Sequence, residues 1–143
     1  MSVDVDASVR RAMRIAEFRA GLRTFLRRSE DVSRRNALTP QRFLVLLMIK
    51  GAPDGSEHLT FTALTERLKL GRNTVSEIVA RCEAAGLVAR ERSAVDRRNV
   101  YLRLTPEGDR RLAAALDETD ADRRDLARVF RALSSSFREA SRA

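Results

Sequence analysis

A chain that catalyses needs a nucleophile beside a base, paired acids in a pocket, or a set of metal ligands. This chain of 143 residues has one cysteine, Cys82, and one histidine, His58, 24 positions apart. With no CxxC and no Cys/His cluster, no zinc site is expected and no internal disulfide can form. Cys82 falls in phase with Val75, Ile78 and Val79 on one apolar helix face. There it is expected to be a small buried hydrophobe, because a reactive thiol needs exposure and a lowered pKa. His58 has no evident metal partner, so a surface or capping role is expected. Asp117, Glu118, Asp120, Asp122 and Asp125 form an acidic cluster. Helical spacing scatters them and arginines follow, so the cluster is read as a solvated face. No enzyme, no cofactor and no metal are expected.

What remains is positive charge. The net charge is +8, the pI about 11.1, and arginines outnumber lysines 26 to 2. A basic surface favours polyanions, either nucleic acid or an acidic membrane face. An arginine bias can also reflect coding composition, so the placement must decide. Residues 1–50 carry a net +6 and residues 58–106 a net +4, whereas 8 basic and 8 acidic side chains cancel in residues 107–143.

Two stretches place arginines where they can meet DNA. Residues 72–85 read as a helix with Val75, Ile78, Val79 and Cys82 inward. The opposite face offers Arg72, Asn73, Thr74, Ser76, Glu77 and Arg81. A recognition helix reads bases with its N-terminal residues. Arg pairs bidentately with guanine, Asn with adenine, and a Thr methyl packs on thymine. Arg72, Asn73 and Ser76 lead as base or phosphate contacts. The second stretch, RERSAVDRRNVYLRLT (90–105), reads as a hairpin with Arg97 and Arg98 at its tip. Guanidinium groups there suit a narrow, A·T-rich minor groove. Asp96 would be repelled by phosphate; it is expected to hold the tip by pairing with Arg90 or Arg98. Arg90, Arg92 and Arg103 can serve the DNA backbone only in part, since strand residues alternate sides.

The elements that must position these groups are mainly helical. The first seven or so residues are expected to fray. A long helix follows from about Ala7 to Asn36, striped by Ile15, Phe18, Leu22, Phe25, Ser29 and Val32. It is too long to bury against a small core alone, so part of its stripe is expected to meet another subunit. Thr39-Pro40 starts an almost wholly apolar helix, QRFLVLLMIK, which Gly51 ends. Thr62 is expected to cap a short helix, Ala63 to Leu68, and Lys69-Leu70-Gly71 to turn the chain into the helix at Arg72. Gly86 is a stop signal. Two helices joined by a three-residue turn, then a hairpin, make a winged helix-turn-helix. Thr105-Pro106 starts the C-terminal helices. Ser134-Ser135-Ser136 is expected to break them, with Ser136 and Glu139 at capping-box spacing starting a last short helix. With 5% aromatic residues and no Trp, aliphatic packing must build the core. No apolar run reaches the roughly 20 residues of a membrane span, and the start lacks a signal-peptide pattern, so a cytoplasmic protein off the membrane is expected.

This order of elements, with LTFTALTERLKLGRNTVSEIVARCEAAGLVAR, the wing DRRNVYLRLT and the following TPEG, resembles the MarR family of transcriptional regulators. The resemblance covers most of the chain, including the Leu38-Thr39-Pro40-Gln41 start. It implies a mainly α fold with a small β-wing. Residues 1–36 would be an N-terminal dimerisation helix, 37–106 the winged helix-turn-helix and 107–143 C-terminal dimerisation helices, in one compact domain overall. It further implies a homodimer that binds double-stranded DNA at a pseudo-palindromic operator, as a ligand-responsive repressor. A cleft for a small aromatic or anionic ligand would lie between the dimerisation helices and the DNA-binding lobe. A final helix of about seven residues departs from the several turns usual in this family. The alternative is a winged-helix module that binds protein; it expects apolar residues on the outward face of the second helix, where this chain has polar and cationic ones.

Overall fold

The computed structural model describes residues 5–142, the side chain of Ala140 excepted. Residues 1–4, on which most of the expected frayed start falls, lie outside the described residues. In chain order the elements are α1 (Ala7–Arg35), α2 (Pro40–Lys50), β1 (His58–Thr60), α3 (Phe61–Leu68), α4 (Arg72–Ala84), β2 (Val88–Arg92), β3 (Val100–Leu104), α5 (Pro106–Glu118) and α6 (Asp120–Ala140). They fall into two compact units, one of Met1–Asp31 with Glu118–Ala143 and the other of Val32–Asp117.

The second unit is built around α2. Thr39 caps it, its hydroxyl accepting the Arg42 N–H at 3.2 Å, and Pro40 stands at the first position. Val45, Leu46 and Ile49 are wholly buried against Leu64 of α3 and Val75 and Val79 of α4. A three-stranded antiparallel sheet in the order β1-β3-β2 closes the unit, with Leu59 opposite Leu102 and Val88 opposite Leu104. These four side chains are buried.

Strand β1 corrects the expected start of the third helix. Thr60, not Thr62, is the cap: it ends the strand in an extended conformation, and its hydroxyl accepts the Ala63 N–H at 3.2 Å. The helix therefore begins at Phe61. Lys69 then takes a left-handed conformation (φ 56°) to turn the chain through Leu70 and Gly71 into α4. Such a conformation costs a non-glycine residue roughly 1–2 kcal/mol. Here it is what sets one helix against the next.

The far end of α4 is a Schellman cap. Gly86 (φ 70°) donates to Glu83 O at 3.0 Å and Leu87 to Cys82 O at 2.9 Å. The start of α5 is fastened to this turn. Thr105 donates its N–H to Leu87 O at 3.0 Å and its hydroxyl to Gly86 O at 2.5 Å, and the same hydroxyl accepts the Gly108 N–H at 3.1 Å. Gly108 lies so close that a Cβ there would stand 2.2 Å from the Leu87 carbonyl oxygen. TPEG thus fixes the base of the hairpin. Lys50 adds a further tie, pairing with Glu57 and, at 2.9 Å, with Asp109; both carboxylates raise its pKa, Glu57 the more.

In the first unit α1 and α6 run antiparallel. Phe18 meets Phe130 (ring centroids 6.0 Å), Gly21 faces Val129, and Arg28 bonds Asp122 at 2.7 Å. The serine run does not break the last helix, which continues from Asp120 to Ala140 for 21 residues. Ser135 and Ser136 turn their hydroxyls back onto the carbonyls of Arg131 (3.0 Å) and Leu133 (2.7 Å). Serine hydroxyls bonded this way are compatible with a continuing helix. The last helix accordingly has several turns and does not restart at Ser136. No helix among the described residues is long and apolar enough to cross a membrane.

Candidate nucleic-acid interface

Helix α4 divides by burial as its spacing predicts. Val75, Ile78, Val79 and Cys82 enter the core, whereas Arg72, Asn73, Thr74, Ser76, Glu77 and Arg81 are exposed. Its N-cap is Gly71, which brings no capping side chain, and its first turn has no acidic residue. The first N–H groups of a helix lack intrahelical partners and carry the positive end of the helix dipole. This end can therefore receive a phosphate. Arg72, the first helical residue, lies with its guanidinium carbon over the Phe61 ring, 4.9 Å from the centroid.

The wing is the β2–β3 hairpin. Its tip is held by side chains acting on backbone. The Ser93 hydroxyl accepts the N–H of Val95 and of Asp96, each at 3.2 Å, and the Asp96 carboxylate accepts the Arg98 N–H at 3.0 Å. Ser93 N–H also donates to Asn99 O at 3.0 Å. Of the two arginines expected beside Asp96, Arg98 is the one there (3.9 Å), and its side chain is 95% exposed. Arg90 instead bonds Glu83 at 2.9 Å, tying the first strand of the wing to the C-terminal half of α4. Arg103 pairs with Glu91 at 3.1 Å, and Arg92 reaches the Arg97 carbonyl at 3.5 Å. Among the described residues, the side chains of Arg72, Arg81 and Arg97 have no hydrogen bond or ion pair. These three guanidinium groups keep their donors for an outside partner.

Three contributors to this arrangement, Ser93, Glu83 and Phe61, are not marked by helix or strand spacing. Ser93 had a signal: Ser93 and Asp96 are both turn-forming residues that bond nearby backbone. Glu83 had a weaker one, since it faces a strand rather than its own helix. Phe61 had none, because its contact with Arg72 joins the first residues of two different helices.

Burial pushes the Cys82 thiol up to about 11, opposed by the Arg42 charge and assisted by that of Glu83, so the thiol stays protonated near neutral pH. His58 stands in β1 with its ring against Tyr101 (centroids 4.3 Å). In the acidic cluster, Asp120 pairs with Arg123 and Arg124, Asp122 with Arg28, and Asp125 with Arg128. No group of three potential metal ligands occurs among the described residues.

A sequence profile of the MarR family matches residues 38–99. The transcriptional regulator HosA of Escherichia coli O127:H6 is 38% identical over 84 residues, which are 59% of this chain and 59% of HosA. The aligned region thus spans under two thirds of that relative's length. Among solved structures, a MepR variant from S. aureus bound to an oligodeoxyribonucleotide has a TM-score of 0.62 at 22% identity, covering 77% of this chain and 78% of that one. NadR in complex with 4-hydroxyphenylacetate has a TM-score of 0.67 at 20% identity, covering 98% and 93%. At such identities the two structures speak for the fold: mainly helical, with a three-stranded winged helix-turn-helix.

Proposed function

We propose that the chain is a member of the MarR family, whose profile matches residues 38–99, and that it is a sequence-specific DNA-binding transcriptional regulator, acting as a ligand-responsive repressor. One observation carries the reading. The exposed face of α4 and the tip of the wing hold Arg72, Arg81 and Arg97 with no hydrogen bond or ion pair among the described residues, on a helix and a hairpin whose bases are anchored in a core. An arginine that answers no carboxylate at home is free to answer a phosphate or a guanine. In this reading α4 lies in the major groove, where Arg72, Asn73, Thr74 and Ser76 reach base edges or phosphates. Arg81 follows the backbone, and Arg97 and Arg98 approach the minor groove. The outward face of α4 has no large apolar side chain, which counts against a protein as its partner.

The operator is read by a homodimer. Large apolar side chains stand exposed on α1 and α6, Met13 at 57% and Phe130 at 55%, with Val9, Leu26 and Phe137 close to half exposed. Two-fold pairing through such a surface would set half-sites about 34–36 Å apart on one DNA face. The effector is a small aromatic or anionic molecule, the class to which NadR's 4-hydroxyphenylacetate belongs. It acts by binding the DNA-competent and DNA-incompetent arrangements unequally.

The test is a titration of the purified chain against duplex DNA from upstream of its own gene, over a range of salt. Specific binding that weakens steeply with salt is expected. Arg97→Ala should weaken binding to many sequences alike and flatten the salt slope by about one unit. Unchanged affinity and slope in that variant would remove the wing from the interface. Sedimentation should give the mass of a dimer.

A further inference from the structure

We infer that Phe61 is a positioning residue for base reading: its ring is the platform that aims the Arg72 guanidinium. The inference rests on the reading of α4 as the helix that enters the DNA groove. Phe61 opens α3 and is half-buried, with part of its surface packed on the core of the second unit. Its backbone is fixed as well, since Thr60 caps the same turn and the Thr65 hydroxyl donates to Phe61 O at 2.9 Å. The ring is therefore not free to follow a moving partner. Arg72 comes to it: the guanidinium carbon lies over the ring, 4.9 Å from the centroid.

A guanidinium attracted to an aromatic face keeps its N–H donors in its own plane, along its edges. Those donors are unspent, because Arg72 has no hydrogen bond or ion pair among the described residues. An arginine whose guanidinium carbon is held over a ring while its donors stay open suits bidentate pairing with guanine N7 and O6, which requires a fixed fork. A solvated arginine must give up its rotamer freedom on binding. One already held over a ring has given up part of it in the free protein. Phe61 thus acts on sequence preference through Arg72 and touches no base itself.

The test compares wild type, Phe61→Leu, Phe61→Tyr, Arg72→Ala and the Phe61→Leu/Arg72→Ala double variant. The duplex is one selected by the wild type from a random pool. Each variant is titrated against it and against copies with each guanine replaced in turn. Phe61→Leu keeps an apolar side chain and removes the π-face. It should lose roughly two- to fivefold of discrimination at one guanine, with affinity for random duplex and the salt slope unchanged. Phe61→Tyr should restore the discrimination. In the Arg72→Ala background, Phe61→Leu should cost nothing further. The native chain supplies an independent reading should Phe61→Leu fail to fold: the Arg72 Hδ resonances should be moved upfield by the ring current. Wild-type discrimination in Phe61→Leu, an equal loss with and without Arg72, or unshifted Hδ resonances would each overturn the inference while leaving DNA binding intact. A wild-type chain that selects no sequence from the pool would overturn the DNA reading and this inference with it.

Discussion

Arg72 and Arg81 of α4 and Arg97 of the wing tip differ from Arg110 and Arg111 of α5 and from Arg123, Arg124 and Arg128 of α6 in what they face. On α5, Arg110 and Arg111 both bond Glu107; on α6, Arg123 and Arg124 bond Asp120, and Arg128 bonds Asp125. Every one of these pairs spans three or four positions on a single helix. Arg72, Arg81 and Arg97 have no such partner among the described residues. Spacing alone does not explain the difference, since Glu77 stands four residues before Arg81 and the two remain apart. Exposed ion pairs add little stability. Their effect on α5 and α6 is to cancel charge locally, which leaves the chain's excess positive charge elsewhere. These five arginines are thus neutralised on their own helices, whereas Arg72, Arg81 and Arg97 keep their donors available.

The largest blow to this contrast would fall on the junction between the two kinds of region. Gly108→Ala puts a methyl group 2.2 Å from the Leu87 carbonyl oxygen, a backbone atom that cannot swing aside. Chemical denaturation should show a loss of about 3 kcal/mol, the upper end for overpacking. A variant as stable as wild type would mean that the base of the wing is not fixed as described. Next comes Arg72→Ala, which should cost about 2 kcal/mol of specific binding by fluorescence anisotropy and relax the preference for guanine. Arg124→Ala on α6 is its control and should bind DNA as wild type does. Equal losses in the two variants would dissolve the contrast.

Smaller effects sharpen it. Asp120→Asn removes the carboxylate that Arg124 and Arg123 share on α6 and should change stability by only about 0.5 kcal/mol. If it also raised affinity for random duplex DNA, local cancellation would be what keeps α6 off the polyanion. Glu107 titrates well below its usual range, at about 2, because Arg110 and then Arg111 donate to its carboxylate. A depressed carboxylate pKa contributes stability above the unfolded value near 4.5, and that contribution is lost as pH falls toward 2. The melting-temperature gap between wild type and Glu107→Gln should therefore be present at about pH 6 and close on acidification. Because the pair is exposed, salt should narrow the gap at any pH. The smallest expected effect is none: Cys82 in the folded chain should resist alkylation at neutral pH and react once denatured. Rapid modification of the native protein would contradict its burial.

What the sequence determined by itself was whatever repeats locally. The phase of Val75, Ile78, Val79 and Cys82 sufficed to expose Arg72, Asn73, Thr74, Ser76 and Arg81, because a helix has one period and an apolar stripe one place to go. Thr39-Pro40, the Gly86 stop and the hairpin strands were legible for the same reason: each depends on neighbours in the chain. Helix starts and breaks were less secure. Thr60 prevailed over Thr62 because β1 pairs with β3, more than forty residues away. The serine run stayed helical, with the hydroxyls of Ser135 and Ser136 bonded to the preceding carbonyls rather than competing as a cap. Tertiary structure alone decided which arginines have partners. Arg90 finds Glu83, Arg103 finds Glu91 and Arg72 finds the ring of Phe61 only once distant elements meet. Coulomb and cation–π attraction act over a few ångströms in space, whatever the separation along the chain.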